Sequence, residues 1–314
     1  MGRVRAASRC RDRESLIIAD LYNNQMAARL ILNADDFGLT RGINRAIIEL
    51  YEAGALTSAT LMANGPAFED AVSIALANPS LGVGCHIVLT DGTPVSPPKA
   101  IPSLLGPDGK NFRPSLVSFL AAILLGRVNE AEISLEAAAQ IQRLQQAGIH
   151  VTHIDTHKHT HMFPAVARPV LLAAEAAGVH AIRNPFEEPW SIALSGSELT
   201  RRIQVRLIHY LRPRFLAMPQ IRNGIVRTTN GTIGISATGN LNQTTLHAVL
   251  DTMPNGTWEV VCHPGYNDKD LDSITTRLRS TREIEREALL SMFAPASNLS
   301  AQRNPFTLIH YSDV

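Results

Sequence analysis

Cysteine is scarce in this chain. Cys10, Cys85 and Cys262 are an odd number at wide spacing, with no Cys-x-x-Cys pair among 314 residues. That pattern excludes a disulfide framework and a zinc ribbon, and it points to a reducing, cytoplasmic setting. Excess charge is missing too. Lys and Arg number 29 against 28 Asp and Glu, a formal charge of +1, and no basic run is long enough to override that balance. A nucleic-acid or membrane-surface footprint is therefore not expected. No stretch approaches the ~20 apolar residues of a membrane span. Residues 1–25 are Arg-rich but lack the ~7-residue apolar core of a secretory signal. Met26 directly precedes the apolar run that opens the first strand, so Met26 is the expected start, residues 1–26 an expected disordered leader, and 27–314 the expected single domain. Neither GxGxxG nor GxxxxGK[ST] follows any strand-like run, which argues against a nucleotide-binding sheet.

What is present is alternation of strand-like and helix-like segments, and 45% hydrophobic residues to bury between them. Strands are predicted at 29–34, 57–63, 81–89, from 149 into the histidine run, 180–183, 258–262 and 306–311. Helices are predicted at 41–53, 67–77, 129–148, 164–177, 199–211, 244–253 and 274–292. The first helix has Ile43, Ile47, Leu50 and Tyr51 at helical spacing, Thr40 as N-cap and Gly54 as its stop. Repeated βα units imply a mostly parallel sheet. With about seven parallel strands, the expected fold class is α/β, a distorted (β/α) barrel of the TIM type. Residues 91–114 are too rich in Pro and Gly for a regular element, and a loop of that length is usually functional.

Titratable residues gather where such folds place chemistry, at the carboxyl ends of strands. The first strand ends in Asn33-Ala34-Asp35-Asp36-Phe37-Gly38, the third carries His86, the fifth ends at Arg183, and that at 258–262 runs into His263-Pro264-Gly265. The fourth carries His153, Asp155, His157, His159 and His161 at alternate positions. On a strand these would share one face, but at ~3.3 Å per residue the first and last would be roughly 26 Å apart. One or two of them can bind a given ion, and the remaining ligands must come from elsewhere. Asp35 and Asp36 reach one site only if the chain turns there, which Gly38 would permit. One carboxylate and two neutral imidazoles suit a divalent ion and leave room for water. With Asp35 as base and His263 as acid across the site, that set reads as metal-assisted amide hydrolysis.

The stretches LILNADDFGLTRGINRAI, GVGCHIVLTDGTPV, THIDTHKHTHMFP and VVCHPGY resemble, in this order, the motifs of the YdjC-like carbohydrate deacetylases of the ChbG/HpnK type, from about Arg29 onward. The resemblance implies a distorted (β/α) barrel and removal of an N-acetyl group from an amino sugar, either an oligosaccharide or a glycolipid. It also implies one divalent ion, magnesium or zinc, held by Asp36, His86 and His157. Asp35 corresponds to the general base, His263 to the acid, and Arg183 to an arginine at the site.

Other residues have plainer readings. Asp155 is either the partner that orients a ligating imidazole or a minor ligand, and His159 and His161 belong behind the ligands or in the substrate groove. Gly82 and Gly84 share the face of His86 and leave room for a ligand, unless they only permit close packing. Cys85 and Cys262 read as core packing. Arg282 and Glu283 are left out of the site, and Trp190 either stacks on a sugar ring or packs beside Pro189. Residues 91–114 and 185–239 are expected to shape the acceptor pocket, and base rates favour a homodimer. The rivals are a two-metal hydrolase acting on another amide or ester bond, and a catalytically silent sugar-binding barrel.

Overall fold

A computed structural model of the chain describes residues 28–294 and 306–314; the expected leader, with Met26 and Cys10, lies outside them. Nine strands form one sheet: β1 (Ala28–Phe37), β2 (Ser58–Leu61), β3 (Gly82–Ile87), β4 (Ile154–Thr156), β5 (Ala181–Ile182), β6 (Arg227–Thr228), β7 (Gly231–Ile233), β8 (Thr257–Cys262) and β9 (Phe306–Leu308). Every ladder is parallel, in the order β6-β5-β4-β3-β2-β1-β8-β7, with β9 on the amino-terminal half of β1. The helices are α1 (Arg41–Glu52), α2 (Phe68–Ala77), α3 (Leu116–Leu124), α4 (Glu130–Gln146), α5 (Pro164–Ala176), α6 (Pro189–Leu194), α7 (Leu199–His209), α8 (Arg212–Leu216), α9 (Pro219–Arg222), α10 (Gln243–Asp251) and α11 (Thr281–Phe293).

Beyond the roughly seven strands expected, the described residues add two short ones. Strands β6 and β7 have only two and three residues, too few to show a period. They are parts of one segment, with β6 on β5 and β7 on β8, so its two halves join the opposite edges of the sheet across Thr229 and Asn230. The barrel is distorted at this seam.

Alternation along β1 sorts the interior from the helix-facing layer. Leu30, Leu32 and Ala34 join the main apolar core with Ile43, Ile47 and Leu50 of α1. Ile31 packs with Tyr311 at the base. Thr40 caps α1 by accepting a bond from the Ile43 amide at 3.2 Å. The stripe Ile133, Ala137, Ile141 and Leu144 of α4 is buried in the same core. Two buried polar residues of α4 fix the start of the long loop: Gln140 bonds the Val88 amide at 2.8 Å, and the Glu136 carboxylate accepts from Val95 and Ser96.

The histidine run is not a strand throughout. Pairing ends at Thr156, and His157–Met162 is a 3₁₀ segment with Lys158 and His159 in the left-handed region. The chain therefore folds back on itself, so His159 and His161 leave the strand face predicted for them.

Gly84 serves packing rather than a ligand. A Cβ there would stand 2.5 Å from the ring of His153, which stacks on Tyr311 at 3.8 Å between centroids and lies 3.2 Å from Asn33 Oδ1. Gly84→Ala overpacks this layer and is expected to cost about 1–3 kcal/mol, measured as a lower urea midpoint; an unchanged midpoint would show that the ring yields freely.

Candidate active site

A bulge in β1 brings two consecutive buried carboxylates into one cluster of charged side chains. The register with β2 runs Asn33 to Ser58 and Ala34 to Ala59, then slips before Phe37 pairs with Leu61. The slip falls at Asp35 and Asp36, and Asp36 adopts φ 65°. An aspartate tolerates that left-handed conformation better than most residues. The turn expected at Gly38 thus begins two residues earlier.

The neighbouring aspartates have separate arginine partners. Asp35 accepts two bonds from Arg183, at 2.6 and 2.9 Å, and lies 3.2 Å from Asn33 Nδ2 and 3.3 Å from Thr60 Oγ1. Asp36 Oδ2 accepts from Arg282 at 2.5 Å. Burial alone would raise both carboxyl pKa values. For Asp35, Arg183 outweighs it, aided by His86, and for Asp36, Arg282 does so with His157; both are held well below the usual range. Asp36 Oδ1, though buried, has no hydrogen-bond partner. It faces His86 Nε2 at 3.7 Å and His157 Nδ1 at 3.5 Å, and those two nitrogens are 3.2 Å apart.

Donor atoms of Asp36, His86 and His157 therefore lie within 4.8 Å of one another. Asp155 Oδ1 holds the other ring nitrogen of His86 at 2.7 Å, which leaves Nε2 to face the cluster. A second group, Asp35, His86 and Asp155, is equally compact. Its carboxylates are already engaged, since Arg183 pairs with both and Asp155 also holds His86. Among the described residues the geometry therefore offers one open donor set, and Lys158, the only lysine within the motifs, is paired with Asp91.

Arg183 is wholly enclosed, bonded to Asp35, Asp155 and Glu259, and Tyr311 donates to the far side of Glu259. His263 places Nε2 3.8 Å from Asp35 Oδ2, and its amide donates to Glu285 Oε2 at 2.6 Å. Burial works to lower the His263 pKa, but the Glu285 carboxylate and Asp35 raise it above the ordinary value. His161 lies behind the ligands, between Thr156 Oγ1 at 2.7 Å and the Arg183 carbonyl at 3.2 Å. Burial and then Arg183 keep it neutral, with a pKa of about 3, and the same causes push His153 and His159 well down.

Arg282, left out of the expected site, is buried and touches a predicted ligand. Gly265 admits it: a Cβ there would stand 2.9 Å from the Arg282 side chain. Asn33, Thr60, Glu259 and Glu285 were also overlooked. The first three are polar residues inside otherwise apolar strands, a readable sign of an inward position. Trp190 packs edge-on against Trp258, near the amino-terminal end of β8 and away from the site rim.

The sequence matches the family described as YdjC-like protein over residues 29–296. The chain belongs to the YdjC-like family. Among relatives named carbohydrate deacetylase, that of Clostridium beijerinckii is 33% identical over 82% of this chain and 90% of its own length. Those of Brevibacillus brevis and Geobacillus stearothermophilus are 43% and 42% identical over 52% and 46% of this chain; these matches span only 60% and 55% of the relatives' lengths. A solved structure titled a putative cellobiose-phosphate cleavage protein, from Enterococcus faecalis, aligns over 91% of this chain and 98% of its own, with TM-score 0.71 and 24% identity. That likeness shows the shared fold.

Two outcomes follow from the charges. Arg183→Met leaves buried carboxylates without their cation and is expected to cost about 3–5 kcal/mol at neutral pH. Because the folded pKa of Asp35 lies below its ordinary 3.8, the carboxylate adds stability above that value and loses it as pH falls through the folded pKa. The deficit of the variant, measured by urea melts, should shrink below about pH 4; a pH-independent deficit would contradict the pairing. His86 is pulled to about 9 against its burial, chiefly by Asp155 and then Asp35. A cation must displace that proton, so calorimetry should show affinity falling as pH drops below 9; flat affinity would exclude His86 as a ligand.

Proposed function

We propose that this protein is a metal-dependent carbohydrate N-deacetylase, converting an N-acetylated amino sugar to the free amine and acetate. The observation that carries this reading is the unpartnered, buried Asp36 Oδ1 facing two imidazole nitrogens, in a family whose relatives are named carbohydrate deacetylase. Asp36, His86 and His157 would hold one divalent ion, and two imidazoles favour zinc over magnesium. When bound, such an ion acidifies water and polarises a carbonyl oxygen.

The remaining chemistry belongs to the side chains. Asp35, ionised and oriented by Arg183, accepts the proton of the attacking water. His263, whose pKa is raised against its burial by Glu285 and Asp35, lies 3.8 Å from Asp35 and donates a proton to the leaving nitrogen. Hydroxyl adds to the carbonyl carbon, the C–N bond breaks, and the products are acetate and amine. Arg183 touches neither reactant; its donors are occupied by carboxylates, so it positions Asp35 and Asp155. The loop at 91–114 and the segment at 185–239 shape the acceptor pocket, in keeping with rim loops that set specificity in barrels.

Asp35→Asn should retain one metal equivalent while acetate release from N-acetylglucosamine oligomers falls on the order of 10²-fold or more; His157→Ala should lose both. Metal content by mass spectrometry and acetate release separate the two cases. Near-normal turnover in Asp35→Asn would remove Asp35 from the role of base.

A further inference from the structure

The whole-chain charge conceals a segment of one sign. From Leu199 to Leu250 there is no aspartate or glutamate, while Arg201, Arg202, Arg206, Arg212, Arg214, Arg222 and Arg227 fall within it. Helix α7 opens this segment and has two opposed apolar faces. Val205, on the inner face, is buried with Ile192, Ile235 and Val261, and Arg201 donates to the Ile235 carbonyl at 2.9 Å. This side adjoins the site rim: Arg201 lines a cavity of about 470 Å³ with Gly239, whose amide donates to Glu285, the partner of His263.

The outer face is apolar and exposed. Leu199, Ile203, Leu207 and the capping Tyr210 keep 69%, 48%, 61% and 79% of their surface accessible. At 100° per residue these four fall within one arc of about 80°. Arg202 and Arg206 flank that arc on one side, and among the described residues neither has a carboxylate partner. An aliphatic stripe ending in tyrosine and edged by arginines combines the features that seat a helix in a headgroup layer.

We propose that the outer face of α7 docks on an anionic lipid bilayer, placing the rim of the barrel beside the membrane surface. Charge complementarity selects this occupant. A second copy meeting the same face about a twofold axis would oppose Arg202 and Arg206 to their own equivalents, whereas anionic headgroups neutralise them while the acyl layer receives Leu199, Ile203 and Leu207. Among the described residues no helix is long and apolar enough to cross a membrane, so the association is peripheral.

The full chain is tested by co-sedimentation with phosphatidylglycerol-containing vesicles that carry no sugar, so the outcome is independent of the deacetylase reading. Binding is expected to anionic vesicles, to weaken as salt rises, and to be negligible with phosphatidylcholine alone. Arg202→Gln with Arg206→Gln should weaken it on the order of tenfold or more, and Ile203→Gln with Leu207→Gln should abolish it while the circular dichroism spectrum and urea midpoint of the variant match those of the parent. No binding at low salt overturns the proposal, as does a dimer on gel filtration that dissociates with Ile203→Gln and Leu207→Gln. Binding that survives those changes but is lost with Leu124→Gln, on the exposed face of α3, overturns the assignment to α7.

Discussion

A guanidinium sealed from water organises the interior of this barrel. Arg183 bonds Asp35, Asp155 and Glu259 from three other strands, so β1, β4, β5 and β8 meet through one buried cation. Charges in such a place are tolerable only when all are paired, and Tyr311, Thr60 and Asn33 supply further contacts to the same carboxylates. A barrel interior more often filled by branched apolar side chains is here a layer of ion pairs. Fold and site are one object, because the side chains that orient the candidate ligands also join the strands.

Two adjacent aspartates acquire different chemistry from that arrangement. The bulge turns both inward, after which Arg183 takes both oxygens of Asp35 and Arg282 takes only Oδ2 of Asp36. The remaining oxygen of Asp36 is a free donor beside His86 and His157. Asp155 acts one shell further out, since its grip on His86 Nδ1 directs Nε2 toward that donor. The oxygens of Asp155 are engaged by His86 and Arg183, contacts that suit the orienting partner of the two expected roles.

Strand ends and helix spacing made most of this architecture legible before any coordinates. The stripe of α4 and the Thr40 cap lie where the pattern put them, and Asp36 and His86 converge from two strands with His157 from the turn that follows a third. Three features escaped for physical reasons. The histidines alternate as a strand would, but Lys158 and His159 enter the left-handed region, and the turn they make sets His161 against Thr156 and the Arg183 carbonyl. Strands β6 and β7 are too short for any period. The i, i+3 pair Arg282 and Glu285 resembles a solvated helix face, and only the fold turns it inward toward Asp36 and His263. The same averaging concealed the basic segment around α7 behind a net charge of +1.

The proposed chemistry requires a single cation among Asp36, His86 and His157, with Asp35 left out of its coordination. Anomalous diffraction from crystals grown with zinc measures this directly. The expected result is one peak per chain, bounded by Asp36 Oδ1, His86 Nε2 and His157 Nδ1. A peak between Asp35 and Asp155, or none at this position under saturating zinc, would contradict it.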